Sequence, residues 1–361
     1  MARSKRTARV TAAVASTLLL LTAATACGSD SGGSSATSDG KSEGKSEGKD
    51  GAKGSGSFPV TLGHKFGSTT VESEPKRIVT LGLTDQDALL AVGKVPVATT
   101  EWTGGYEGAV GPWAKDELGD AKISTVLKVS GSGPQVEKIA ALKPDLILSV
   151  YGGLTKEQYT ALSKFAPVVA QPGEYNDWGV SWQEQTEIVG KAVGRPAEAA
   201  KAVAETEKKI AAAVRPEFKN KTAVIGTPYE GLFIWGSQDP RSRLLTQLGF
   251  ELPADLDKVI GNQFGASISK ERTDLLDHDA IVWMVGDVAK GAEKLRKDPS
   301  YGDLKVVDEG REIYVHETSD YGNALSFGTV LSLPYVVERL APQLTAAVDG
   351  KPATAVAQPA S

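Results

Sequence analysis

Apolar positions in this chain fall into short continuous runs separated by amphipathic stretches, and the alternation begins only near Phe58. The runs at 77–81, 95–99, 146–150 and 168–169 read as buried strands. Between them, residues 85–92 (ended by Gly93), 136–142 and 157–165 carry helical spacing. After Arg215-Pro216 the pattern restarts, with strands at 222–226, 280–285 and 313–315 and helices at 243–248 (closed by Gly249) and about 329–340. Near-continuous apolar strands alternating with helices predict parallel α/β units.

The middle breaks this rhythm. Residues 182–193 and 197–214 are two helical stretches separated by Gly194-Arg195-Pro196. Pro196 suits the first turn of the second helix, where its missing N–H costs no hydrogen bond. That second stretch would be about 27 Å long, enough to run from one lobe to the next. The chain therefore divides into an N-terminal α/β lobe (58–177), an interlobe helical segment (178–216), a C-terminal α/β lobe (217–346) and an Ala/Pro-rich frayed tail (347–361). The fold class is α/β, as two α/β lobes joined by a single long helix. An internal repeat supports duplicated lobes. Glu137, Leu142, Asp145 and Ile147 recur at identical spacing as Glu271, Leu276, Asp279 and Ile281.

The N-terminus has a different chemistry. Arg3, Lys5, Arg6 and Arg9 precede an apolar or small-residue run over 10–26, the layout of a secretory signal. The run is too short and too rich in Ala and Thr for a membrane-spanning helix. Ala24-Thr25-Ala26-Cys27-Gly28-Ser29 resembles a bacterial lipoprotein signal, although that pattern prefers Leu where Ala24 stands. The resemblance implies cleavage after residue 26, a diacylglycerol on the sulfur of Cys27, and acylation (such as palmitate) of its freed amine. Two or more acyl chains give a stable anchor on the outer face of the cell membrane. Residues 28–57 are mostly Gly, Ser, Lys, Asp and Glu, cannot bury a core, and form with Cys27 a disordered tether (27–57) reaching about 30 Å. Gly44-Lys45-Ser46 lacks the upstream Gly of a phosphate loop.

Cys27 is the only cysteine, which excludes a disulfide framework and a thiolate metal site. Losing four basic residues with the signal takes the formal net charge from −5 to −9, a poor balance for binding nucleic acid. His64, His278 and His316 are far apart in sequence, which argues against a resident zinc or manganese ion. No Gly-x-Ser-x-Gly elbow is present, so the chain reads as a binding protein rather than an enzyme.

Several phrases resemble the ferric-siderophore, heme and cobalamin-binding proteins that serve ABC importers. They are Pro75-Lys76-Arg77-Ile78-Val79, the segment 87–93, the segment 136–147 with its Lys143-Pro144-Asp145-Leu146-Ile147 block, Leu244-Leu245, Ser269 to Arg272, and 306–315. Leu83-Thr84-Asp85-Gln86-Asp87 and Ser181-Trp182-Gln183-Glu184-Gln185-Thr186 are similar to actinobacterial iron-siderophore lipoproteins. The resemblance spans roughly 58–345. It implies a shallow ligand cleft between the lobes, limited closure because the connecting helix is rigid, and no cofactor. It also implies a monomer that delivers its ligand to an ABC permease and its ATPase. Family members dock on the permease through one acid per lobe, and those positions match Glu137 and Glu271.

A siderophore enfolds Fe(III) itself, so the cleft needs aromatic surface and a few donors rather than metal ligands. Arginine suits this because its planar fork reaches several oxygens at once. Ligands of parallel sheets meet the loops at the strands' carboxyl ends. Those loops offer Trp102, Tyr106, Trp113 and Tyr151 in the first lobe, and Tyr229, Phe233, Trp235, Arg241, Arg243 and Tyr321 in the second. The ligand-binding candidates are Trp102, Tyr106, Tyr151, Tyr229, Trp235, Arg241, Arg243 and Tyr321, with Trp102, Tyr151, Trp235 and Arg241 foremost. Few bases lie in these loops, which favours a neutral or cationic ferric hydroxamate over a trianionic catecholate. Heme, cobalamin or a catecholate siderophore on the same fold is the alternative, and an anchored extracellular hydrolase a remote one.

Overall fold

The computed structural model describes residues 56–128, 133–352 and 354–357. Cys27, the signal segment and the tether up to residue 55 lie outside the described residues.

An antiparallel hairpin of β1 (Val60–His64) and β2 (Gly67–Val71) precedes the first sheet. That sheet holds β3 (Ile78–Thr80), β4 (Ala98–Thr100), β5 (Thr125–Leu127), β6 (Leu146–Ser149) and β7 (Val168–Ala170), all parallel, in the order β5-β4-β3-β6-β7. The second holds β8 (Ala223–Thr227), β9 (Leu232–Trp235), β10 (Gly265–Ile268), β11 (Ala280–Val285) and β12 (Glu312–His316), in the order β10-β9-β8-β11-β12. Here β8, β11 and β12 are parallel, while β9 runs antiparallel to both of its neighbours. Every residue of β11 is buried, as expected of a strand covered on both faces.

The repeated motif has a geometric counterpart. Val79 pairs with Ile147, and Val224 with Ile281, so both copies meet the neighbouring strand in one register. Asp145 accepts from the main-chain N–H of Lys76 and of Arg77, each at 2.8 Å. Its counterpart Asp279 accepts from the N–H of Thr222 and from Nζ of Lys221, each at 2.9 Å. One carboxylate thus clamps the start of the adjacent strand in each lobe.

Two helices, Trp182–Ala192 and Pro196–Ala213, link the sheets. Ser181 caps the first, Gly194 turns the chain at φ +69°, and Pro196 opens the second. Ala199 packs in the core of the first lobe, whereas Val203, Ile210 and Ala213 pack in that of the second. The helix therefore has each end rooted in a different core. Gly190 permits the pair to close. A Cβ there would lie 2.4 Å from Ala199 Cβ and 2.9 Å from Arg195 O. Gly190→Val is expected to destabilise the fold by about 2 kcal/mol through overpacking, seen as a lower denaturation midpoint; an unchanged midpoint would refute the close contact.

The structure adds elements that the apolar pattern hides. The hairpin β1–β2, β5 and β10 are too short or too polar to stand out, and the strand expected at 95–99 begins only at Ala98. The stretch from Tyr229 to Arg243, expected as a loop, contains β9, a four-residue apolar run set between Gly231 and Gly236. The stretch around Tyr321, also expected as a loop, forms the helix Asp320–Phe327, capped by Ser319. The tail expected to fray instead packs back on the second lobe as far as Ala357, where Val356 meets the core and Gln343 Nε2 donates to Ala357 O at 3.0 Å.

Candidate functional site: the interlobe cleft

The carboxyl ends of both sheets face each other. Thr103 Oγ1, just after β4, donates to Asn323 Oδ1 at 2.8 Å, and Asn323 follows β12. In the first lobe Asp85 organises the approach. It is fully buried and accepts from the N–H of Val150 (2.8 Å), the N–H of Tyr151 (2.9 Å) and Nε2 of Gln185 (2.8 Å). Burial pushes its pKa up, and these donors pull it back. Gly82 makes room, because a Cβ there would sit 2.3 Å from Asp85 Oδ2. The result is a fixed main chain for Tyr151 beside the cleft.

The second lobe answers with the start of the helix Pro240–Gln247. Asp239 caps it by accepting from Arg241 N–H at 2.9 Å. The same carboxylate takes Arg241 in two-point fashion, Nε to Oδ1 and Nη2 to Oδ2, both at 2.8 Å. The Arg241 guanidinium also lies over the Trp235 ring, 3.9 Å from its centre. A fork held on one edge and stacked on one face has little freedom left.

Arg243 is held differently. Its guanidinium lies 5.6 Å from the centre of the Tyr175 ring, which belongs to the first lobe, and its Nη1 is buried without a hydrogen-bond partner. Burial lowers its pKa, while Tyr175, Tyr151, Asp239 and Glu184 favour its charge. Burial likewise pushes the Tyr151 phenol up, Asp239 adds to this, and Arg241 and Arg243 oppose it. Both lobes thus contribute to one cluster of two arginines, two carboxylates and two phenols.

Aromatic rings line the neighbouring wall. Trp102 is buried, with ring centres 5.8 Å from Trp113 and 5.1 Å from Phe327, and its Nε1 has no partner. Tyr151 and Phe327 are 6.3 Å apart.

The other sequence-derived candidates sit apart from the arginine cluster. Tyr106 is a bridge between the lobes, donating to Asp320 Oδ1 at 2.8 Å and accepting from Asn323 Nδ2 at 3.1 Å. Tyr321 turns into the core of the second lobe, where its hydroxyl donates to Gln343 Oε1 at 2.9 Å, because its segment is helical rather than a loop. Tyr229 is 63% exposed in the turn between β8 and β9. Phe233 packs edge-on against Trp235 with ring centres 5.8 Å apart. Glu184 entered the sequence reading only within the phrase 181–186, and Tyr175, Asp239 and Phe327 did not enter it as candidates. Of those three, Asp239 alone left a legible mark, the Asp-Pro signature of a helix start.

Behind the cleft, buried Asp87 joins the lobes. Its Oδ2 accepts from Trp113 Nε1 at 2.8 Å and from Thr329 Oγ1 at 2.6 Å, while Oδ1 has no partner. Burial raises its pKa to about 6, against the pull of those donors and with a small push from Glu117. The folded state therefore holds this proton more tightly than the unfolded chain. Its contribution to stability is present at low pH and is lost as pH rises from about 4 to about 6. Asp87→Asn is expected to be more stable than the parent at pH 7, by at most about 3 kcal/mol. The gap between the two melting curves should shrink towards pH 4; a gap constant with pH would contradict this.

Among the described residues no group of three or more His, Cys, Asp or Glu side chains could hold a metal ion. Among them, too, no helix is long and apolar enough to cross a membrane.

Two α/β lobes pinned by a shared helix, with an arginine and aromatic cleft between their strand ends, define a two-lobed ligand-binding protein. The chain belongs to the periplasmic binding protein family, which it matches over residues 78–318. It is 29% identical over 280 residues to Bacillus subtilis YhfQ, named as an ABC transporter substrate-binding lipoprotein, covering 73% of this chain and 83% of that one. A periplasmic solute-binding protein from Mycobacterium smegmatis shares 33% identity and a TM-score of 0.68, over 82% of this chain and 99% of the other. Streptococcus pneumoniae PiaA in complex with ferrichrome shares 28% identity and a TM-score of 0.71, over 81% and 99% respectively.

Proposed function

We propose that this chain is the lipid-anchored, extracellular substrate-binding component of an ABC importer, and that it captures a ferric hydroxamate siderophore for iron uptake. The observation that carries the ligand class is the charge balance of the cleft. Arg241 is neutralised by Asp239, and the charge of Arg243 is answered by nearby Glu184 and Asp239. Lys128 adds one base at the adjoining first-lobe cavity, so a trianionic chelate would meet far less positive charge than its own, whereas a neutral or singly charged one meets aromatic faces and directed N–H donors. The similarity to a ferrichrome-bound protein supports the same reading.

Tyr151, Trp102, Trp235, Arg241 and Arg243 are the proposed ligand contacts, with Arg243 Nη1 offering an unused donor. The chelate brings its own iron, so no metal ligand is asked of the protein. The protein acts as a monomer in this reading, held to the outer face of the membrane through acylated Cys27. Glu137 and Glu271 are the proposed permease contacts. Both are exposed, and each opens the segment that returns from the carboxyl edge of its sheet.

Titration by intrinsic fluorescence with a ferric trihydroxamate, a ferric catecholate, heme and a corrinoid tests the ligand class. Saturable quenching is expected with the trihydroxamate at the lowest concentration. Tighter binding of any of the other three would replace this reading. Growth on a labelled fatty acid tests the anchor, since an unlabelled mature protein would refute it.

A further inference from the structure

A cavity of about 220 Å³ opens at the carboxyl ends of β3 to β6, within the first lobe. Leu81, Leu127, Ile139, Leu154 and Trp178 line it, together with polar Lys128 and Gln158. It is larger than the roughly 150 Å³ apolar cavity that takes up benzene. Its wall is continuous with the cleft, because Gly152 and Gly153 line it directly after Tyr151.

Trp178 is in an unusual state. It is 41% exposed and holds φ at +59°, a left-handed conformation disfavoured for a bulky side chain. Its indole lies against bare backbone, since a Cβ on Gly153 would fall 2.8 Å from the ring. The segment that carries it touches the other lobe, where Asn176 N–H donates to Gln238 Oε1 at 3.4 Å. Strain and exposure at one tryptophan, beside an apolar cavity next to the cleft, are explained together if the indole covers a bound apolar group.

We infer that this cavity is a subsite for an apolar arm of the ligand, a hydrocarbon chain or ring of about six carbons, judged by the cavity's size. The chelate served by this protein is then amphiphilic, with its iron-binding head between the lobes and its arm under Trp178. Gln135 Oε1 also lines this region, buried and without a partner, and would accept from an amide N–H linking arm to head. The inference rests on the ferric hydroxamate reading of the cleft and adds a determinant of which hydroxamate is preferred.

Calorimetric titration of the full chain with iron(III) chelates of N-acetyl desferrioxamine B (the plain chelate) and N-hexanoyl desferrioxamine B, which carry the same charge, tests it. The hexanoyl chelate is expected to bind the parent protein at least about tenfold more tightly, from burial of its methylenes less the cost of ordering them. Leu127→Trp, which fills the cavity, should cut that gain below about threefold and leave the plain chelate within about twofold. Trp178→Ala, a change at an exposed site that folding tolerates more readily, should reduce the gain as well. Equal binding of the two chelates by the parent overturns the subsite alone, as does a gain that survives both substitutions. Binding of neither chelate overturns the hydroxamate reading and the subsite with it.

Discussion

Replacing Arg243 by alanine is expected to weaken ferric hydroxamate binding by between about tenfold and about a hundredfold, the worth of one or two hydrogen bonds from a charged donor. The same change should leave the melting temperature of the ligand-free protein unchanged or raised. Arg243 Nη1 is buried without a partner, and burial already disfavours its charge, so removing the side chain relieves a cost in the empty cleft. Arg243→Lys should recover only part of the affinity, because an ammonium cannot spread its donors over two ligand oxygens. A parallel loss of stability and affinity would mean that Arg243 merely supports the fold, and unaltered affinity would remove it from the site. Arg241 is a contrasting case. Its salt bridge to Asp239 and its stacking on Trp235 tie it to the structure, so Arg241→Ala should lower both affinity and stability.

The second large effect concerns delivery rather than capture. Reversing both proposed docking acids, Glu137→Lys with Glu271→Lys, is expected to bring iron uptake down to background while leaving ligand affinity within about twofold, since the resemblance implies arginines on the permease and like charges juxtaposed at an interface cost several kcal/mol. Both carboxylates are exposed, so reversing their charge is expected to cost the fold little. Glu137 is exposed at the first turn of the short helix Val136–Ala141, and exposed Glu271 is kept ionised by hydrogen bonds from its own main chain and from Ser269. The two acids hold the same place in the two sequence repeats, so either single reversal should give an intermediate loss. Normal uptake by the double variant would refute the docking role.

The sheets were legible where strands are buried on both faces. The run 280–285 is apolar throughout and is β11 to the residue. The interlobe helix was legible from Pro196 and the spacing of its apolar positions, and the structure shows those positions divided between two cores. The repeat was visible because Asp145 and Asp279 each satisfy strand-start donors, a local demand that fixes spacing. The cleft was harder to read. Arg243 meets Tyr175 of the first lobe and the charge of Glu184 in the interlobe segment, neither of which local sequence marks as its neighbour. Tyr106 and Tyr321 were drawn towards the cleft by their segments, but a tyrosine needs a partner for its hydroxyl when buried. Asp320 and Asn323 supply it for one, and Gln343 for the other. The cavity beside Trp178 combines residues from the ends of four strands, and no local motif announces it.

If the cleft takes an intact ferric hydroxamate, iron and chelator are held together between the lobes. Equilibrium dialysis of the full chain against radiolabelled iron(III) desferrioxamine B, with iron and chelator counted separately, tests it most directly. One iron and one chelator retained per protein chain, displaced by neither heme nor a corrinoid, is the expected result. Retention of iron without chelator, or displacement of the chelate by heme or a corrinoid, would contradict it.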